Sequence, residues 1–297
     1  MKRALWIVAV LCWPALLAGQ STPETLRHTI LDVYRTASDS VVRVSVTVNP
    51  DRTPGQPTPL LGSGVAIDDS GSIATTFDLA CGGLPAKPIL ESLEGPGRPP
   101  VTFEVTFGDG KTIEARLVGC DPISRLALLK VDRKTDPLPL ASLDDVGPGA
   151  VTLGIGSGAH LHGVPTLGLA GALQSTRPAD GTACAMMRAV SNPVLEGDAG
   201  GAVVDLEGRL VGLICGAARG GRIDGVASAG LTYVIPSDTV AWVTERLKKN
   251  GTVRRGYLGV TLEGDSMTVS RVRADSPADH AGLVRGDRIV AAAFPGQ

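Results

Sequence analysis

Short runs of alternating β-branched and polar residues, cut by glycine-, proline- and aspartate-marked turns, occur twice along this chain. Val42, Val44, Val46 and Val48 alternate with Arg43, Ser45 and Thr47, the period of a half-buried strand. Further strand patterns follow at 64–67, 72–76, 102–107, 112–118 and 126–131. Asp69-Ser70-Gly71 and Gly108-Asp109-Gly110 supply hairpin signals between them. A second set occupies 150–155, 167–174, 185–190, 202–205, 210–215 and 231–235. Two sets of similar size predict two β lobes. With 38 glycines, 21 prolines and only 3% aromatics, the core must be built from small aliphatic side chains.

Helical periodicity is confined to the flanks. Leu26, Ile30, Leu31 and Tyr34 predict an amphipathic helix over 23–38 leading into the fold. A second helix is expected over 237–249, with Ser237 or Asp238 as N-cap, Lys248 and Lys249 near its C-terminal dipole, and Asn250-Gly251 as its stop. From Tyr257 a β pattern restarts as a separate module.

Residues 1–19 read as a signal peptide: Met1-Lys2-Arg3 is a positive head, and 4–17 is apolar apart from Pro14. That stretch is shorter than the about 20 residues a spanning helix needs. The expected location is therefore across the inner membrane, periplasmic or extracellular, and a membrane tether follows only if the signal stays uncleaved. A net charge of −2 without a long basic run excludes nucleic acid as an expected partner. Once Cys12 leaves with the signal, Cys81, Cys120, Cys184 and Cys215 remain. Their spacing fits no zinc pattern, and disulfides are permitted in an exported protein. Three pairings are open, as is the alternative of four buried thiols. No metal or other cofactor is expected.

Four segments carry a family resemblance. The stretch from Gly62-Ser63-Gly64 to Thr75 resembles the strand pair that precedes the catalytic histidine in trypsin-like serine proteases of the HtrA/DegP type. Where that family reads I-L-T-N-N-H-V-V, this protein reads Ile73-Ala74-Thr75-Thr76-Phe77-Asp78-Leu79-Ala80, which puts Asp78 at the histidine position. The frame of the family's aspartate segment recurs from Gly119 to Val131, with Arg125 in the aspartate's place. The nucleophile segment G-N-S-G-G recurs as Gly197-Asp198-Ala199-Gly200-Gly201, with Ala199 in place of serine. Tyr233-Val234-Ile235-Pro236-Ser237 matches the approach to the family's last helix. The resemblance implies an all-β fold, a chymotrypsin-like double β-barrel spanning 20–250, followed by an incomplete PDZ-like module over 256–297.

The substitutions bear on chemistry. A serine-protease triad needs a nucleophilic oxygen, an imidazole to take its proton and a carboxylate to orient that imidazole. Ala199 has no heteroatom, Asp78 is too weak a base, and the Arg125 guanidinium has donors only. Neighbouring Asp78 and Arg125 would form an ion pair, bidentate in its best geometry. Among other candidates, His28 and His280 fall outside the lobes. His160 and His162 form an H-x-H pair that reads as a solvated loop, and Cys81 and Cys184 lack a Gly-x-Cys-Gly-Gly frame. The backbone of Gly197, Asp198 and Ala199 retains the pattern of an oxyanion hole, although these glycines also serve the turn itself. The Gly- and Pro-rich stretch 81–100 is longer than the family pattern and would sit beside Asp78.

Tyr257-Leu258-Gly259-Val260 resembles the carboxylate-binding loop of HtrA-type PDZ domains. Ser276-Pro277-Ala278 through Ala281-Gly282-Leu283 and Gly286-Asp287-Arg288-Ile289 match their later signature. Such domains take the C-terminus of another polypeptide as an added strand. The helix and last strand that wall that groove are missing before Gln297, so peptide binding there is not expected to be complete.

Together these readings predict an exported, catalytically inactive HtrA-like homologue, a pseudoprotease that binds polypeptides or regulates an active relative. The alternative is a serine-type endopeptidase of envelope protein quality control with a non-standard mechanism. A structural role is a third option, since the resemblance also implies homotrimers.

Overall fold

The computed structural model describes residues 23–48, 59–83, 101–158, 161, 163–176, 185–217, 222–223, 226–227, 230–263 and 266–291. The expected signal peptide, Cys184 and the His160/His162 pair lie outside these residues. So does most of the 81–100 stretch.

The valine alternation becomes β1 (Val41–Val48), in which Val42, Val44 and Val46 are buried. It pairs antiparallel with β2 (Leu60–Ala66) on one side and β4 (Val101–Thr106) on the other, so that Val44 faces both Gly62 and Val105. β3 (Ser72–Thr76), β5 (Thr112–Asp121) and β6 (Leu126–Lys130) complete a closed barrel in the order β1-β2-β3-β6-β5-β4. Its core packs the β1 valines on Ile73, Phe103, Val105 and Leu129. Closure leaves no free edge, which short strands of modest apolar content would otherwise expose.

The second set closes likewise, in the order β10-β11-β14-β9-β8-β7. Its strands are β7 (Val151–Gly156), β8 (Val164–Thr176), β9 (Ala185–Val190), β10 (Ala202–Val204), β11 (Leu210–Ala217) and β14 (Thr232–Pro236). Its core includes Val190, Val203, Val211, Ile214 and Val234. A small hairpin of β12 (Arg222–Ile223) and β13 (Val226–Ala227) stands beside it in sequence. The protein is thus a double β-barrel of the chymotrypsin type.

Helix α1 (Pro23–Ser38) lies on β7, and the Tyr34 hydroxyl donates to Gly163 O at 2.7 Å. The four-residue turn α2 (Phe77–Ala80) follows β3 directly. Helix α3 (Ser237–Asn250) buries Val240, Val243 and Leu247 and packs on β5 and β6 as well as β11 and β14, so it spans both barrels. Lys248 pairs with Asp68 at 2.6 Å, tying α3 to the β2–β3 turn. Gly251 closes the helix at φ 71°, as Asn250-Gly251 predicts. The N-cap differs from expectation. Pro236 occupies that position, and the helix start has no side-chain cap. Ser237 Oγ donates instead to Ala141 O at 2.5 Å, and Asp238 accepts the Leu143 amide at 3.3 Å, so both candidate caps hold the inter-barrel linker.

The protein divides into two compact units at Thr252/Val253. The second contains β15 (Val260–Leu262), β16 (Val269–Val272) and α4 (Pro277–His280), capped by Ser276 Oγ. Only Val269, Ser276 and Ala278 are buried among its described residues. Among the described residues, no helix is long and apolar enough to cross a membrane.

Candidate functional site

Asp78 reaches the surface because of what surrounds it on α2. Phe77, Leu79 and Ala80 turn into the first barrel, which leaves Asp78 outward with a side chain 56% exposed. Arg125 comes from the β5–β6 connection. There Asp121, itself buried, accepts the Ser124 amide at 3.0 Å and contacts its hydroxyl. This turn leaves Arg125 at φ 60°, a left-handed conformation that costs a non-glycine residue energy. The strained backbone delivers the Arg125 carbonyl to the Phe77 amide at 2.8 Å, at the first residue of α2.

The two side chains meet as the sequence reading anticipates. Arg125 Nε donates to Asp78 Oδ2 at 3.1 Å, and Nη2 donates to the same oxygen. Both donors meet Oδ2, so the two side chains form the complementary ion pair that the exchanged charges suggest.

Ala199 sits in a turn fixed from several sides. The Asp198 amide donates to Leu195 O at 3.1 Å, and Asp198 Oδ2 accepts the Leu195 amide at 2.7 Å. The Gly200 amide donates to Ile214 O at 2.7 Å, and the Gly201 amide to Asp198 O at 2.8 Å. Gly197 and Gly200 take φ values of 97° and 90°, open to glycine alone at little cost. A Cβ on Gly200 would also overlap Ser63 O.

Ser63 of β2 joins this turn to the first barrel, a role the sequence did not disclose. Its amide donates to Ala199 O at 2.8 Å and its hydroxyl to Gly197 O at 2.7 Å. The same hydroxyl accepts the Ser157 amide at 2.8 Å. Among the described residues, neither the Gly197 nor the Ala199 amide donates a hydrogen bond.

Gly62 lies between the two halves of the site. A Cβ there would overlap Leu79 of α2 and meet Ala199 O at 3.1 Å. Cys215 of β11 also faces this region. Burial pushes its thiol up to about 11, against the opposing pull of Arg125 and with a further push from Asp78. Cys81 and Cys120 are buried more deeply and pushed up to about 12. At neutral pH such thiols hold almost no thiolate, the nucleophilic form.

Asp198 is 3% exposed, and its Oδ1 has no hydrogen-bond partner. Burial raises its carboxyl above the usual range, against the Leu195 amide hydrogen bond that lowers it. Of the other candidates, His28 is on exposed α1 beside Glu24, and His280 is on α4 of the second unit. Among the described residues, no group of three or more His, Cys, Asp and Glu side chains could hold a metal ion.

The Tyr257–Val260 loop belongs to the second unit, with Tyr257 and Leu258 exposed. Leu258 O accepts the Ala278 amide at 2.9 Å, and Gly259 O accepts that of Arg273 at 2.8 Å. Gly259 has φ 85°, and a Cβ there would overlap that of Ser276, which explains the glycine.

The trypsin-like peptidase domain model matches residues 62–213, from the Gly62–Ser63 strand to β11. A protein of Marinomonas sp. (strain MWYL1) named "Probable periplasmic serine endoprotease DegP-like" is 33% identical over 207 residues, covering 63% of this chain and 42% of that protein. Serine protease PepD of Mycobacterium tuberculosis is 32% identical over 196 residues, covering 61% of this chain and 42% of that protein. The chain therefore spans well under half the length of these relatives. A solved structure, the HtrA-type protease AlgW with a decapeptide, superposes with a TM-score of 0.67 at 23% identity, covering 88% of this chain and 84% of that one. The chain belongs to the trypsin-like peptidase family, in its HtrA/DegP-type branch.

Proposed function

We propose that this protein is an exported HtrA-like homologue without proteolytic activity, which binds polypeptides or regulates an active relative. In this reading Asp78, Arg125 and Ala199 stand at the catalytic histidine, aspartate and serine positions. The observation that carries it is the Arg125–Asp78 contact beside an alanine. The carboxylate is held by a guanidinium that offers donors only, and Ala199 presents no atom that could be acylated. The nearby thiols are no substitute, because burial keeps them protonated.

Residues 1–19 act as the signal in this proposal, 20–250 as the protease-type domain and 256–297 as part of a PDZ domain. The named periplasmic location of relatives supports export to the periplasm. The free Gly197 and Ala199 amides support a role in holding a peptide carbonyl or carboxylate, since two such donors suit a developing or full negative charge. The decapeptide bound to the HtrA-type AlgW supports polypeptides as the ligand class.

The rival reading is a working endopeptidase, which the names of the relatives favour. Purified protein incubated with a fluorophosphonate probe and an unfolded substrate separates the two. The proposal expects neither labelling nor cleavage. Probe labelling, or cleavage that persists in a preparation free of host proteases, overturns it.

A further inference from the structure

We propose that Cys81 and Cys120 join in an intramolecular disulfide that ties α2 to β5 beneath the Asp78–Arg125 pair. The structure shows both as thiols. Both belong to one core cluster of the first barrel, 3% and 2% exposed. Cys81 closes α2, its amide donating to Phe77 O at 2.9 Å. Cys120 is the penultimate residue of β5, against which α2 packs. Burial dominates both thiols; beyond it Cys120 responds to Cys81, whereas Cys81 responds to Asp78. Cys215 lies in the other barrel and outside this cluster. Among the described residues, the fold thus favours one of the pairings that sequence leaves open.

In the reaction, two S–H bonds give way to one S–S bond. Two protons and two electrons pass to a partner disulfide, R–S–S–R, which leaves as two thiols. Small-molecule or protein disulfides of an oxidising compartment are that oxidant class. Because the native core excludes solvent from both sulfurs, the exchange belongs to folding, before β4 and β5 close over them. Once formed, the bond is shielded from reductants for the same reason. The ring it closes contains β4 and β5. It fixes the segment after Asp78 to the strand that leads into Arg125, so the two supports of the ion pair cannot separate.

In the cell the bond rests on the export reading for its oxidant, but the choice of partners rests on the fold alone. The test is therefore made in vitro. The full-length protein is unfolded and reduced, then refolded with a mixture of reduced and oxidised glutathione. Free thiols are blocked with N-ethylmaleimide in denaturant, and the digest is mapped by mass spectrometry. The expected product is a single Cys81–Cys120 peptide pair, two hydrogens lighter than its reduced parts. The oxidised protein should also unfold at higher urea than the same protein with reductant, a shift that Cys81→Ala/Cys120→Ala abolishes. Alkylation of both cysteines in the refolded protein, or a link through Cys12, Cys184 or Cys215 instead, overturns the proposal. Cell fractionation tests export separately.

Discussion

Arg125 holds Asp78 and α2 by two routes: its guanidinium converges on Asp78 Oδ2, while its carbonyl accepts the Phe77 amide at 2.8 Å. The side-chain route is partly solvated, with Arg125 39% and Asp78 56% exposed, so water screens the charges. A double-mutant cycle of Asp78→Ala and Arg125→Ala, followed by urea denaturation, should therefore show coupling of about 0.2–1 kcal/mol. Coupling near zero would mean that the backbone route alone positions α2.

The backbone route makes its own prediction. At φ 60° Arg125 bears a left-handed penalty that glycine escapes. Arg125→Gly and Arg125→Ala lose the same ion pair, yet the glycine variant should be the more stable by about 1 kcal/mol. Equal denaturation midpoints would contradict the strain.

Ser63 gives a third. Removing its hydroxyl in Ser63→Ala strands the buried Ser157 amide and the Gly197 carbonyl. The loss should be about 1–3 kcal/mol by chemical denaturation. Gly200→Ala should cost more than about 1 kcal/mol, because the new methyl would collide with Ser63 O in a left-handed backbone.

The Asp68–Lys248 pair sets the acid behaviour. Burial alone would raise the Asp68 carboxyl, but hydrogen bonds from Lys248, Ser72 and Ser70 outweigh it and hold the group below the usual carboxylate range. A folded-state pKa below the unfolded one means that the unfolded protein binds more protons at low pH. The stabilisation is full above about pH 4 and drains away as pH falls toward the folded value. Thermal unfolding of Lys248→Met against the parent should thus differ most at pH 6, and the gap should narrow steadily as the pH falls from about 4 to about 2. A gap that widened on acidification would contradict a lowered carboxyl in the folded state.

Much of this was legible beforehand, for identifiable reasons. The Val42–Val48 alternation and the Gly251 stop are local signals, and both operate as read. The Asp78–Arg125 contact was foreseen through the family resemblance, since residues so far apart in sequence have no local mark. What escaped depends on tertiary closure. The α2 turn, at four residues, is too short to show a period. Ser237 looked like a cap because sequence cannot show that Ala141 O takes its hydroxyl. Ser63 and Cys215 matter only once two barrels meet, and no spacing along the sequence announces that.

The frame itself can be tested by filling it. In the proposed reading Asp78→His, Arg125→Asp and Ala199→Ser together restore an imidazole, its orienting carboxylate and a nucleophilic oxygen. Aspartate tolerates the left-handed backbone at 125 better than most residues, and the Gly197 and Ala199 amides remain positioned by Ser63. Triad groups act as a unit worth up to about 10⁶ in kcat, so partial restorations should stay silent. The triple variant should label with a fluorophosphonate at position 199 and the three single variants should not. If the triple variant folds with native circular dichroism yet stays unlabelled, these three positions do not converge as a triad. The inactive-protease reading would then lose its geometric basis.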